Sequence, residues 1–374
     1  MTLLEETLQE IQPVDPRQRE QIQQRLDRLT KPPGSLGRLE ELAVWYGAAR
    51  GEIKPTLRKK GVVVFAADHG VTEEGVSAYP KEVTAQMVYN FLRGGGAINA
   101  LARHTGAEVT VVDIGVAHDF EVKGLPGLRN AKIRPGTANM ALRPAMLASE
   151  ARAAIEVGLV MAEEMARSGV DLIATGEMGI GNTAASSAIT SLITGHPVST
   201  VTGRGTGLDE PRRMRKVAVI ERAIARNFPD RRDPESPLCA SVPLCLSFPQ
   251  NDPLNVLAKV GGLEIAGLVG LILGGARRRI PVVLDGFIAG AAALVAVSLK
   301  PPVRDYLLAS HRSAEPGHGS ALAWLQLIPV LDLNLRLGEG TGAVLGMGLV
   351  EAGVKILSEM ATFEEAGVSE RESG

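Results

Sequence analysis

GVVVFAADHG (61–70) is an apolar run that ends at a carboxylate and a glycine. Five more runs end at a carboxylate, a glycine or a small polar loop: VTVVDIG (109–115), DLIATGEMGIGNT (171–183), PVVLDG (281–286), YLLASHRS (306–313) and LDLNLRLGEGTG (331–342). Helix-like stretches lie between them. Buried parallel strands read as continuous apolar runs, and alternation with helices points to an α/β fold with a parallel sheet. The C-terminal ends of parallel strands share one edge, where open α/β folds bind ligands. Asp68, Asp113, Glu177, Asp285, Ser313 and Glu339 are therefore expected to face one crevice.

The 374 residues are enough for one large domain plus a smaller part, or for two domains. Lys and Arg total 40 against 42 Asp and Glu, a net charge of −2, which gives no electrostatic reason to expect nucleic acid or an anionic membrane. Aromatics are 3% while glycine reaches 42 residues, which suits tightly layered helices better than a base-stacking platform. Cys239 and Cys245, in CASVPLC, match neither a redox nor a zinc spacing and read as reduced thiols in a cytosolic protein. The acidic opening MTLLEETLQEIQPVD has no apolar signal core, so a cytoplasmic location is expected. The apolar stretches 265–275 and 287–299 are too short to span a bilayer and read as buried helices.

Residues 1–60 read as helical and polar, with Ile22, Leu26 and Leu29 at helical spacing. Lys31-Pro-Pro-Gly34 breaks this pattern, and Ser35 is expected to cap a helix holding Leu36, Leu39, Leu42 and Ala43. Further helices are expected over 81–92, 97–104, 144–168, 183–194, 210–227, 261–274 and 287–299. A last one follows Glu339, where Gly342, Gly346 and Gly353 suggest close packing. Segments 227–237 and 246–253 read as surface loops, and the tail SERESG as frayed.

Three glycine-rich loops could carry chemistry. GEMGIGNTAASS (176–187) leads from a strand into a helix, where free N–H groups attract phosphate or carboxylate. It is neither a Walker A sequence nor a GxGxxG fingerprint, and its plain structural reading is a tight turn with Glu177 solvated. TGRGTGLDEPRRMRK (202–216) could surround a phosphate with Arg204, Lys216 and loop N–H groups, although most of its basic residues read as a solvated helix face. In LRLGEGTGA (335–343), Leu335 and Leu337 can make the surroundings of Glu339 apolar. Its position suits a general base, and spacing alone supports a helix N-terminal glutamate equally. His69, His311 and His318 form no recognisable metal-ligand set, and no GxSxG elbow accompanies Ser77, Ser310 or Ser313. Neither metal nor cofactor is expected.

Taken together, KPPGSLGRLEELA, AADHGVTEEGVSAYP, GEMGIGNTAA, TGRGTGLDE, VLDGF, SHRSAEPGH and LRLGEGTGAVLGM resemble the nicotinate-nucleotide–dimethylbenzimidazole phosphoribosyltransferase family, in order from about Lys31 to Gly367. The resemblance implies a Rossmann-like sheet flanked by helices, with a small helical domain from both chain ends (1–60 plus 343–374) beside a large α/β domain (61–342), in a homodimer. It implies transfer of phosphoribosyl from nicotinate mononucleotide to 5,6-dimethylbenzimidazole, giving α-ribazole 5′-phosphate and nicotinate with inversion at C1′. Glu339 matches the family's catalytic base and Glu177 a second acid near the ribose. The base is expected near Ser77, Tyr79, Gln86, Met178 and Leu337. The phosphate and ribose are expected near Gly179, Gly205, Lys216, Gly286 and Ser313.

The implied chemistry needs no metal, because nicotinate leaves from a pyridinium. Two alternatives remain at this level: a non-catalytic nucleotide sensor on the same fold, and a related base-exchange glycosyltransferase.

Overall fold

A computed structural model describes residues 1–120, 127–229 and 252–369. Three helices open the chain: α1 (Leu3–Glu10), α2 (Pro16–Asp27) and α3 (Arg38–Arg50). The first half of the sheet follows, as β1 (Lys60–Ala67), α4 (Val83–Leu92), α5 (Ala97–Thr105), β2 (Ala107–Gly115) and β3 (Leu128–Asn130). After α6 (Ala148–Arg167) and β4 (Leu172–Met178) come α7 (Asn182–Thr194), α8 (Val198–Val201), α9 (Glu210–Asn227), α10 (Pro253–Val260) and α11 (Leu263–Arg277). β5 (Val282–Leu284), α12 (Phe287–Leu299), β6 (Leu307–Ala309), α13 (Pro316–Leu325), α14 (Thr341–Glu359) and α15 (Phe363–Ala366) complete it.

The run quoted first lies at the centre of the sheet. β1 pairs in parallel with β2 on one side and β4 on the other, and the full order is β3-β2-β1-β4-β5-β6, all parallel. This is the order of a doubly wound Rossmann sheet. The direction of winding reverses between β1 and β4, and such a switch point opens a crevice at the carboxyl ends of the strands.

Alternation along β1 explains the layers. Val63, Phe65 and Ala67 join one buried cluster with α6, α7, α11 and α12. Val62, Val64 and Ala66 join the other, with Leu42, Trp45 and Tyr46 of α3 and with Val344, Met347 and Val350 of α14. Each Val, Leu, Phe or Met side chain among them contributes about 1.5–3 kcal/mol when fully buried. The expected buried helices at 265–275 and 287–299 are core elements. Gly158 and Gly270 let α6 and α11 touch backbone to backbone: a Cβ on Gly270 would lie 1.9 Å from Ile155 O.

The two chain ends meet. Thr30 N–H donates to Ala361 O at 3.1 Å, Phe363 N–H donates to Arg28 O at 3.0 Å, and Gly353 of α14 lies against the Leu39 carbonyl.

Two local expectations are corrected. LDLNLRLGEGTG is not a strand: Leu331 makes one parallel bridge to His311, and the left-handed residues Asn334, Gly338, Glu339 and Gly340 bend the chain away from an extended path. Its alternating leucines imitate a strand. The sixth strand is instead β3, three residues long and too short to stand out in the sequence. Ser35 does not cap α3, which starts after Gly37. The Glu40 carboxylate accepts the Leu36 N–H at 2.9 Å and pairs with Lys31, holding the KPPGSLG turn ahead of the helix. Cys239, Cys245, 230–237, 246–251 and the tail from 370 lie outside the described residues.

Candidate active site

Glu177 is the next-to-last residue of β4, beside the switch point, and it is buried rather than solvated. Asn182, at the start of α7, donates its side-chain N–H to Glu177 Oε2. Burial, then the nearby charges of Asp285 and Glu264, push the Glu177 carboxyl up to about 8.

The backbone around Glu339 is unusual. Gly338, Glu339 and Gly340 all have positive φ, at 90°, 63° and 98°. A side chain at Gly338 has no room, since its Cβ would lie 2.2 Å from Glu177 Oε1. A Cβ at Gly176 would in turn lie 2.6 Å from Glu339 O. The glycines on both sides of this contact bring the two glutamate-bearing segments together. Glu339 is buried, and its Oε2 accepts the Ile98 N–H of α5 at 3.1 Å. Burial raises its carboxyl, against the N–H groups of Ile98 and Ala97. The enclosure comes from the helix start, because Leu337 is 59% exposed.

Asp285, at the tip of β5, holds this turn in place. It accepts N–H groups from Gly340 (3.1 Å), Gly342 (2.7 Å) and Ala343 (3.1 Å). Burial pushes it up to about 7 in spite of these donors. Buried His311 stands next to it, with its Nδ1 3.9 Å from Asp285 Oδ1, and buried His318 lies beyond, 6.1 Å from His311 between ring centres. Ser313 N–H donates to His318 Nδ1 at 2.9 Å, which needs that nitrogen unprotonated. Burial lowers His318 to about 3 and His311 to about 4.

Lys216 is fully buried rather than part of the solvated face of α9, and its Nζ donates to Thr183 Oγ1 at 2.7 Å. Desolvation lowers the amine to about 8. A Cβ at Gly205 would lie 3.1 Å from that Nζ, and Gly205 N–H donates to Glu315 Oε1 at 2.9 Å. Arg204 is exposed and turned toward Glu210.

These contacts close a ring. Glu177 meets Asn182, the neighbour of Thr183, which holds Lys216; Lys216 meets Gly205, and Gly205 meets Glu315. Glu315 N–H donates to Ser313 Oγ at 3.3 Å; Ser313 lies against Gly286, next to Asp285, whose partner Gly340 leads back through Glu339 and Gly338 to Glu177. A cavity of about 660 Å³ opens beyond Glu315, lined also by Arg204, Arg213 and Arg336.

The expected site residues fall into three groups. Glu177, Glu339, Gly205, Lys216, Gly286 and Ser313 stand on the ring, and Gly179 packs beside His69 next to it. Ser77 reaches the ring's margin: its Oγ lies 3.1 Å from Thr206 Oγ1 and accepts the Tyr79 N–H at 3.1 Å. Met178 is half-buried, whereas Tyr79, Gln86 and Leu337 are exposed and make no side-chain hydrogen bond to the ring among the described residues. Asp68 and Asp113 do not converge on it. Asp113 accepts its own loop's Val116 and Gly115 N–H groups, and Asp68 Oδ2 accepts the Ala117 N–H at 2.8 Å. Asn182, Thr183, Glu264 and Glu315 carried no separate signal in the sequence. Among the described residues no group of three side chains suited to a metal occurs.

A doubly wound sheet with glycine loops and buried carboxyls around its switch point defines an enzyme of nucleotide or sugar-phosphate chemistry. A family model described as phosphoribosyltransferase matches residues 11–368, and the chain belongs to that family. It is 57% identical over 370 residues to nicotinate-nucleotide–dimethylbenzimidazole phosphoribosyltransferase of Geobacter sulfurreducens, covering 99% of each chain. The enzyme of the same name from Chloroflexus aggregans is 54% identical over 371 residues, again covering 99% of each. The crystal structure of CobT from Thermus thermophilus is 47% identical, with a TM-score of 0.86 over 95% of this chain and 99% of that one.

Proposed function

We propose that this phosphoribosyltransferase moves the 5-phosphoribosyl group from nicotinate mononucleotide to 5,6-dimethylbenzimidazole, with inversion at C1′ to α-ribazole 5′-phosphate and release of nicotinate. The names of its relatives support the two substrates. The observation that carries the assignment of roles is the contact between the Glu177 carboxylate and the Gly338–Gly340 turn that bears Glu339.

Breaking the bond to nicotinate leaves positive charge on the ribose. A carboxylate at Glu177 offsets that charge, and it acts in its ionised form. One benzimidazole nitrogen attacks C1′ from the face opposite the leaving ring. Its other N–H becomes more acidic as the bond forms, and Glu339 accepts that proton. Gly179, Gly205, Lys216, Gly286 and Ser313 hold the phosphate and ribose. Ser77, Tyr79, Gln86, Met178 and Leu337 border the base, and holding both flat rings on one sugar contributes by proximity.

Mixing the protein with both substrates and measuring released nicotinate tests this function. No nicotinate above the protein-free control would sink it. We place the enzyme in the cytoplasm as a homodimer, with the helices of 1–60 and those after 343 acting as one small unit beside 61–342. Light scattering of the purified protein checks the dimer.

A further inference from the structure

His69 and Glu264 are buried side chains that the transfer chemistry does not use. His69 follows β1, Glu264 stands in the first turn of α11, and His69 Nε2 lies 2.7 Å from Glu264 Oε1. A buried ion pair is weak evidence for stability, because desolvation offsets much of the attraction. Among the described residues no hydrogen bond reaches Glu264 Oε2.

Gly262 makes room for the imidazole, and Gly179 and Gly181 border the His69 side chain. A Cβ at Gly262 would lie 2.4 Å from His69 Cε1, one at Gly179 would lie 3.4 Å from Cδ2 and Nε2, and one at Gly181 would lie 3.3 Å from His69 Cβ. Gly179 and Gly181 belong to the turn between Glu177 and Asn182. β1 and β4 are neighbours, with Phe65 opposite Glu177 and Ala66 opposite Met178. The turn that joins Glu177 to its partner Asn182 therefore runs beside the His69 side chain, between it, Ala67 O and Thr72 Cγ2.

We propose that the His69–Glu264 pair positions the 179–182 turn, and through it Glu177 and Asn182, for phosphoribosyl transfer; this deepens the function proposed above and rests on it. Glu264 fixes the plane of the imidazole, and the ring edge facing Gly179 sets the height of the turn over the sheet. Burial alone would lower the pKa of the ring, but Glu264 and then Asp68 raise it above the ordinary histidine value. His69 and Glu264 are positioning residues, since they act through the turn rather than on the sugar.

The test compares His69→Gln, Glu264→Gln, Glu264→Asp and the double variant His69→Gln/Glu264→Gln. Nicotinate release gives kcat and the KM for the base, and thermal midpoints report folding. Misplacement of a reacting group by about 1 Å costs on the order of 10²-fold, so each Gln variant is expected to lose about that in kcat with little change in KM. The double variant is expected to be no worse than either single one, because both remove the same support. Glu264→Asp keeps the charge and is expected to recover most of the turnover. Folded Gln variants with wild-type kcat overturn the proposal, and so does a double variant whose loss is the product of the single losses. If Glu264→Gln does not fold, unchanged kcat in folded His69→Gln overturns it. Loss of folding in every variant makes the pair purely structural and also defeats it. Wild-type protein runs alongside: no release there defeats the transfer function itself, whereas active wild type with unimpaired variants defeats only the positioning role.

Discussion

Asp285 Oδ1 accepts the Gly342 N–H at 2.7 Å, and this bond ties the tip of β5 to the first turn of α14. With the bonds from Gly340 and Ala343 it also fixes the turn that presents Glu339. Asp285→Asn keeps the shape but sets an amide N–H against backbone donors. Stability is expected to fall by about 1–3 kcal/mol in urea titrations. Turnover should fall more than affinity for the nucleotide, measured by calorimetry. An unchanged kcat would show that the turn holds its shape without this carboxylate.

As the proposed base, Glu339 must be ionised to accept a proton, and burial raises its pKa. Activity should therefore decline on the acid side above the ordinary carboxylate range, about 4.3 for glutamate, and Glu177, pushed up to about 8 and also acting ionised, adds to the same limb. Glu339→Gln should lose about 10²–10⁴ in kcat while still binding nicotinate mononucleotide. A pH–rate profile of both proteins checks this. A fully active Gln variant removes Glu339 as the base.

Lys216 is charged below about pH 8, inside a site that disfavours the charge. Its folded pKa is depressed from 10.5, so the associated stability is present above that value and is lost as pH falls to about 8. At neutral pH Lys216→Met should consequently gain up to about 3 kcal/mol, less the lost bond to Thr183. The same variant should bind nicotinate mononucleotide more weakly. Denaturation at pH 7 and at pH 10 measures the first effect, and a gain that persists undiminished at pH 10 contradicts it.

His311 and His318 fold as neutral rings, with pKa values near 4 and near 3 against an ordinary 6.5. Their contribution to stability is complete above pH 6.5 and is lost as pH falls through 6.5 toward those values. Each is worth on the order of 3–5 kcal/mol across that window. His318→Asn can still accept the Ser313 N–H, so it should flatten the acid limb of a stability-against-pH curve. An unchanged limb would rule His318 out as its source.

Much of the site was legible because strand tips announce themselves. Glu177 and Asp285 each end an apolar run, and the parallel sheet does carry them to one edge. Strand order was not legible, because side-chain alternation says which face is buried and not which strand lies alongside. Asp113 looked equivalent to Asp285, yet it is spent on its own loop, a difference set by local backbone geometry. The leucines beside Glu339 suggest an apolar enclosure in the sequence, whereas the enclosure comes from Ile98 at the start of α5, 241 positions earlier in the chain. Lys216 could have been read more sharply: with Ile220, Ala223 and Asn227 it shares the buried face of α9 at helical spacing, despite the arginines around it.

The late position of α14 has a consequence for biosynthesis. The ribosome makes β1 early, but the helix that covers Val62, Val64, Leu42 and Trp45 emerges only after residue 341. Until then one face of the nascent sheet is sticky and uncovered, the kind of exposure that favours aggregation. Glu339 arrives with the same segment, so a prematurely terminated chain lacks both its cover and its proposed base. Truncated products should consequently surface as chaperone clients or inclusion bodies and never as weakly active enzyme.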